Sequence, residues 1–253
     1  MCSPCNRRYL FIAGTDSSGS TTLLQMLNFL PNVRLSEENN NEIYIASLLA
    51  SNLKKSSSSM AYDEEVEGAW MHHKIPTQAM ACPIQHVVST LTPPPSEVLQ
   101  AVNETGALSF EDYDQSTIHG LNTVRIYDRH WSPIEAAAFF KESFPCSRIV
   151  VSIRSDTESQ AASRIKLGRS AYAAAAEEEL VRETEFLTEF ARILGPDTAR
   201  LIDMTMWTQD VTVLDDVLAW LGYKECHVKS QDGNDFDWKT TDPQISDECH
   251  YPH

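Results

Sequence analysis

The stretch Tyr9-Leu-Phe-Ile-Ala-Gly-Thr-Asp-Ser-Ser-Gly-Ser-Thr-Thr-Leu-Leu24 decides the reading of this chain. Tyr9 to Ala13 is an apolar run of the kind that forms a buried strand. It enters a turn rich in glycine and hydroxyls, and an apolar-periodic helix follows, with Leu23, Leu24, Leu27 and Leu30 on one face. Strand, turn and helix N-terminus together make an anion site, because free backbone N–H groups and the positive end of the helix dipole converge on one point. Gly14 and Gly19 keep the Gly-x-x-x-x-Gly spacing of a phosphate-binding loop, but Ser20 stands where an NTP-binding loop carries Lys. No Lys or Arg occurs between Arg8 and Arg34. The loop therefore suits a phosphate or sulfate held by backbone and hydroxyls, and suits ATP or GTP poorly.

Outward from this loop, strands and helices alternate. Helices are expected over 42–53, 78–91, 133–143, 156–166, 172–194 and 210–221. Strands are expected over 33–35, 123–127, 148–153 and 200–202. The Ser56–Ser59 run reads as a mobile loop, and 104–119 as polar and irregular. Such alternation predicts an α/β fold: a P-loop-like central parallel sheet with helices on both faces, in a single domain spanning 1–253. Ligands of such sheets bind at the carboxyl ends of the strands, where the turns after Ala13 and after Ile153 both fall.

Composition bounds the function. Hydrophobic residues make up 42% and charged residues 22%, an ordinary globular balance. There is no apolar run long enough to span a membrane, and the early first strand leaves no room for a signal peptide. A cytoplasmic protein is expected. The net charge of −16 argues against nucleic acid and anionic membranes as partners. An anionic ligand would need a local basic pocket, and Arg148, Arg154, Arg164, Lys166 and Arg169 are close together in the sequence. Of the six cysteines only Cys2 and Cys5 form a Cys-x-x-Cys pair, and no second pair follows at zinc-site spacing. Reduced thiols are the expectation.

The quoted loop, with Leu30-Pro-Asn-Val-Arg-Leu-Ser-Glu-Glu-Asn-Asn40 after it, resembles the start of a PAPS-dependent sulfotransferase, most closely the tyrosylprotein-sulfotransferase-like branch. The spacing from the loop to Glu37-Glu38 matches that branch without a gap. Ile149-Val-Val-Ser-Ile-Arg154 and the helix after it resemble the family's second signature. The resemblance covers about residues 8–40 and 122–222. It implies that Gly14, Thr15, Ser17, Ser18, Gly19, Ser20, Thr21 and Thr22 hold the 5′-phosphosulfate of 3′-phosphoadenylyl sulfate (PAPS). It further implies that Arg154 and a helix serine, Ser163 or Ser159, hold the 3′-phosphate. Ser163 is preferred, although the family's usual position falls on Ala162. Glu38 becomes the base that takes the acceptor's proton, with His72, His73, His119 and His130 as alternatives. The acceptor is expected to be a small molecule bearing a hydroxyl or amine, and no metal is required.

One departure matters. The family carries Lys or Arg where this chain has Ser17, and that cation stabilises charge on the leaving oxygen. Arg129, or less favourably Lys74, is the expected substitute. A P-loop kinase or NTPase is the enzyme alternative, and the absent loop Lys argues against it. Ser17 keeps open a third reading, a non-catalytic nucleotide-binding protein descended from a sulfotransferase.

Overall fold

The computed structural model describes residues 4–30, 32–37, 42–59, 77–92, 117–123, 126, 131–168, 172–229 and 244–245. Strand β1 (Arg8–Gly14) is buried at every position after Arg8. It is the central strand of a five-stranded sheet that also contains β2 (Val33–Glu37), β3 (Ile118–Thr123), β4 (Ser147–Ile153) and β5 (Ala199–Asp203), in the order β2-β3-β1-β4-β5. Every neighbouring pair in this sheet is parallel. The α/β fold class expected from the sequence is the one observed.

Burial on both faces explains why β1 is a continuous apolar run rather than an alternating one. Side chains still alternate along the strand. Tyr9, Phe11 and Ala13 enter one core cluster, and Leu10 and Ile12 the other. The first cluster is covered by α2 (Glu42–Ser59), α3 (Thr77–Leu91), α4 (Pro133–Ser143) and α6 (Ala173–Leu194). Tyr9, Phe11, Phe140 and Phe144 pack edge to face at its centre. The second is covered by α1 (Ser20–Asn28), the four-residue α7 (Met204–Trp207) and α8 (Thr212–Leu221). Helix α5 (Thr157–Lys166) follows β4 at the carboxyl edge of the sheet. A short antiparallel pair, β6 (Val228–Lys229) and β7 (Gln244–Ile245), lies in the tail, where the sequence has no clear period.

The structure corrects four expectations. First, the strand expected over 123–127 is β3, ending at Thr123; of the rest of that span only Ile126, which is buried, lies among the described residues. His119, Gly120 and Asn122 hide this strand from a hydrophobicity pattern. Gly120 is there because a Cβ would stand 1.6 Å from the Leu10 carbonyl oxygen of β1. Second, Ser56–Ser59 continues α2 rather than forming a loop. The helix is tied down just upstream by an ion pair from Lys54 to Glu142 of α4, and serine carries only a modest helix penalty.

Third, the cysteines among the described residues are not reduced thiols. Cys5 and Cys146 form a disulfide across 141 residues, and Cys82 and Cys226 each take part in a disulfide bond. The Cys5–Cys146 bond holds the segment before β1 against the turn before β4. Gln85 reinforces the junction by donating to the carbonyls of Pro4 and Ser143, each at 2.8 Å. Fourth, the basic residues do not form one cluster. Arg148, on the second residue of β4, lies at the opposite end of that strand from Arg154, where it covers the Trp220 ring at 5.3 Å. Arg164 is buried among carboxylates, and Arg169 lies outside the described residues.

Closing so long a loop lowers the entropy of the unfolded chain. Replacing both Cys5 and Cys146 by Ala is expected to lower unfolding free energy by about 2–4 kcal/mol. Urea melts of the oxidised protein and the double variant check this. Superimposable melts would contradict the structural role of this bond.

Candidate functional site

The site is built where β1 turns into α1. Gly19 is the N-cap of α1 in the left-handed region (φ 78°, ψ 11°), and no side chain caps the helix. Its first backbone N–H groups therefore lack the side-chain acceptor that a Ser, Thr or Asp cap supplies. Only glycine fits here. A Cβ on Gly19 would sit 2.5 Å from the ring of Trp207, which is fully buried under the turn. Within the turn Thr15 N–H donates to Ser152 O (3.4 Å), Ser18 N–H to Thr15 O (3.2 Å), and Ser152 Oγ to Ser18 O (2.6 Å). Ser18 is wholly buried, yet its Oγ has no hydrogen-bond partner among the described residues.

Ser17 also adopts a left-handed backbone (φ 63°), a conformation that disfavours non-glycine residues. Its Oγ lies 3.1 Å from Ser163 Oγ on α5. Two positions that the sequence treats separately, the loop serine and the helix serine, are thus in contact. Ser159, the alternative, is exposed one turn earlier and engages Asp156 instead.

Arg154 follows the last residue of β4 and Asp156 caps α5, accepting from Ser159 N–H at 3.1 Å. The Ser159 hydroxyl and amide, ahead of the Arg154 charge, hold the Asp156 carboxyl below its ordinary range. Arg154 Nη2 lies 3.3 Å from Asp156 Oδ2 with its side chain about one-fifth exposed, so its guanidinium stays accessible at the edge. The neighbouring turn is fixed by Asp203, the last residue of β5. Its Oδ1 accepts from Ser155 N–H (3.2 Å), Thr205 N–H (2.9 Å) and Thr205 Oγ (2.8 Å). Burial pushes the Asp203 carboxyl up, but these hydrogen bonds prevail and hold it below its usual value.

Glu37 ends β2 and is exposed. It pairs with Asn122 of β3, which pairs in turn with Ile12 of β1. Glu37 is therefore two strands from the loop, a lateral distance of about 10 Å. Asn122 is a residue that sequence reasoning missed. It is buried at this carboxyl edge, and its Oδ1 has no partner among the described residues.

Glu38, Arg129, Lys74, His72, His73 and His130 lie outside the described residues. His119 is placed away from the loop. It pairs with Tyr9, five residues before Gly14, and its Nδ1 meets Thr92 Oγ1 at 2.8 Å. Trp131 and Trp207 are core residues, Trp131 packed against Tyr44 and Phe139. Trp207 and Asn122 carry no motif in the sequence, and only the fold brings them to the loop.

The arrangement offers hydrogen-bond donors and a guanidinium to an anionic ligand. The uncapped amides of α1 and the loop hydroxyls lie together, with Ser163 against the loop and Arg154 just after the neighbouring strand β4. Among the described residues no group of three His, Cys, Asp or Glu side chains is placed to hold a metal.

Comparison with known proteins bears on the fold and the family. The sulfotransferase domain of the olefin synthase of Synechococcus PCC 7002 superimposes with a TM-score of 0.51 at 16% identity, over 85% of this chain and 73% of that one. A sulfotransferase from Alicyclobacillus acidocaldarius gives 0.45 at 15% identity, over 85% and 81%. At these identities the first likeness establishes the fold alone, and the second is weaker still. No curated protein matches the chain. Residues 10–223, however, match the model of the Sulfotransferase family, a span from β1 to the end of α8 that contains every described element of the site. The chain belongs to the Sulfotransferase family.

Proposed function

We propose that this chain transfers a sulfuryl group from PAPS to a hydroxyl or amine of a small-molecule acceptor. The observation that carries the reading is the uncapped N-terminus of α1, with Gly19 against Trp207 and the orphaned Ser18 Oγ beside it. A phosphosulfate oxygen is the acceptor that such donors lack. Gly14, Thr15 and Ser17 to Thr22 cradle the 5′-phosphosulfate, and Arg154 with Ser163 binds the 3′-phosphate.

In the transfer, the acceptor oxygen or nitrogen forms a bond to sulfur in line with the bridging S–O bond, which breaks. Its electron pair stays on the 5′-phosphate of adenosine 3′,5′-bisphosphate, the product. Glu38 takes the acceptor's proton. Its neighbour Glu37 ends β2 at the carboxyl edge of the sheet, and this supports the assignment. With Ser17 uncharged and tied to Ser163, the cation that meets the leaving oxygen falls to Arg129. The loop amides and hydroxyls supply the remaining stabilisation, so the step needs no metal. The disulfides count against the cytoplasmic placement expected from the sequence. The reading therefore adopts an oxidising compartment, where such bonds persist.

Calorimetric titration tests the donor assignment. Adenosine 3′,5′-bisphosphate should bind well ahead of AMP, and Arg154→Ala should weaken the bisphosphate roughly ten-fold or more while leaving AMP unchanged. Equal affinities in the wild type would remove the 3′-phosphate assignment.

Glu38→Gln is expected to keep bisphosphate affinity and to lower turnover with labelled PAPS by about 10²–10⁴. Glu37→Gln should be milder. Wild-type rates in both variants would place the base elsewhere. Turnover should also survive excess EDTA, whereas a loss restored by Mg²⁺ would favour a kinase-like enzyme.

A further inference from the structure

Helix α5 does more than carry Ser163. Gln160, Ser163 and Arg164 stand at i, i+3 and i+4, the spacing that puts three side chains on one helix face. That face meets three consecutive loop residues. Gln160 is fully buried and uses both hydrogens of its amide on the loop, donating to Thr15 Oγ1 (2.6 Å) and to the Asp16 carbonyl (2.5 Å). Ser163 meets Ser17 through the hydroxyls. Arg164, 4% exposed, brings Nε to 3.8 Å from Asp16 Oδ2.

Arg164 is itself held from behind. Its Nη2 donates to Glu183 Oε2 of α6 at 2.5 Å, and Nη1 lies 3.4 Å from Glu179 Oε2. The helices join beneath it through Ala161, Ala176 and Leu180. Ser17 needs such support. A left-handed serine persists only where its surroundings fix the flanking peptides, and the Asp16 carbonyl gripped by Gln160 belongs to the peptide that enters Ser17.

We propose that Gln160 and Arg164 are positioning residues that lock Thr15–Ser17 in the donor-binding shape and couple this loop rigidly to the helix following Arg154. The inference rests on the nucleotide reading of the site for its functional consequence, and on geometry alone for the clamp. Neither residue touches the donor. They act through the loop, so that the two ends of the ligand are measured against one rigid helix. Losing the clamp lowers affinity for the 5′ end of any ligand and leaves the increment from the 3′-phosphate in place.

The test uses two readouts on the full chain: amide hydrogen exchange of the free protein, and calorimetric affinities for adenosine 3′,5′-bisphosphate and AMP. Gln160→Met removes both donated bonds without burying a charge. It should speed exchange at Thr15 and Ser18 by about ten-fold or more, spare Val150 and Val151 in β4, and weaken both nucleotides by a similar factor of roughly ten. The ratio of the two affinities should not change.

Arg164→Lys keeps the charge but cannot reach Asp16, Glu179 and Glu183 together, and should show the loop effect in part. Arg164→Met alone would leave Glu183 buried without its partner and endanger folding. The double variant Arg164→Met, Glu183→Leu avoids this and should repeat the loop effect. Unchanged loop exchange in both Gln160→Met and the double variant would overturn the clamp. So would faster exchange spread equally over β4, or faster loop exchange with unaltered affinities. A wild type that binds neither nucleotide would sink the nucleotide reading instead, and exchange alone would then decide the clamp.

Discussion

A helix that starts on glycine leaves its first backbone N–H groups without a side-chain acceptor, and that constraint organises this molecule. Gly19 adopts a left-handed conformation that other residues rarely take, and Trp207 fills the space a side chain would need. Trp207 is itself set by α7, which starts on the Asp203 cap at the end of β5. The open amides thus depend on elements nearly two hundred residues downstream, and the parallel sheet exists to bring those ends together at one edge.

The same logic explains the hydroxyl-rich chemistry of the loop. With no Lys or Arg between Arg8 and Arg34, the turn carries little charge of its own, and Asp16 adds a negative one. Arg164 lies beside that carboxylate from the protein side rather than the ligand side. Burial raises the Glu183 carboxyl despite its bond to Arg164, with the nearby charges of Glu179 and Asp16 adding to the push. The guanidinium is thus surrounded by carboxylates. A buried network of this kind specifies a loop shape more than it adds stability. In the proposed transfer the catalytic charge comes from elsewhere, because Ser17 is uncharged.

Much of this was legible in the sequence wherever local pattern and tertiary need coincide. Strands β1 and β4 are apolar because both faces are buried, and α4 starts where Ser132, Pro133 and Glu135 complete a capping box. The glycine spacing of the loop signals its backbone. Strand β3 was misplaced because its residues answer to non-local demands. Gly120 yields to a carbonyl on another strand, and His119 and Asn122 are buried polar groups in a central position. Likewise the partner of Cys5 lies 141 residues away, and Gln160 reads as an ordinary helix residue until the fold puts it against Thr15. Pairings across such distances leave no period for a sequence pattern to show.

The central claim is that the N–H groups opening α1 receive the anionic end of the donor nucleotide. Amide chemical shifts of the ¹⁵N-labelled protein, followed during titration with adenosine 3′,5′-bisphosphate, test it most directly. The largest, saturable shifts are expected at Ser20, Thr21 and Thr22, with a second group at Arg154 and Ser155. Saturable binding that leaves the amides of residues 18–22 unmoved would contradict it.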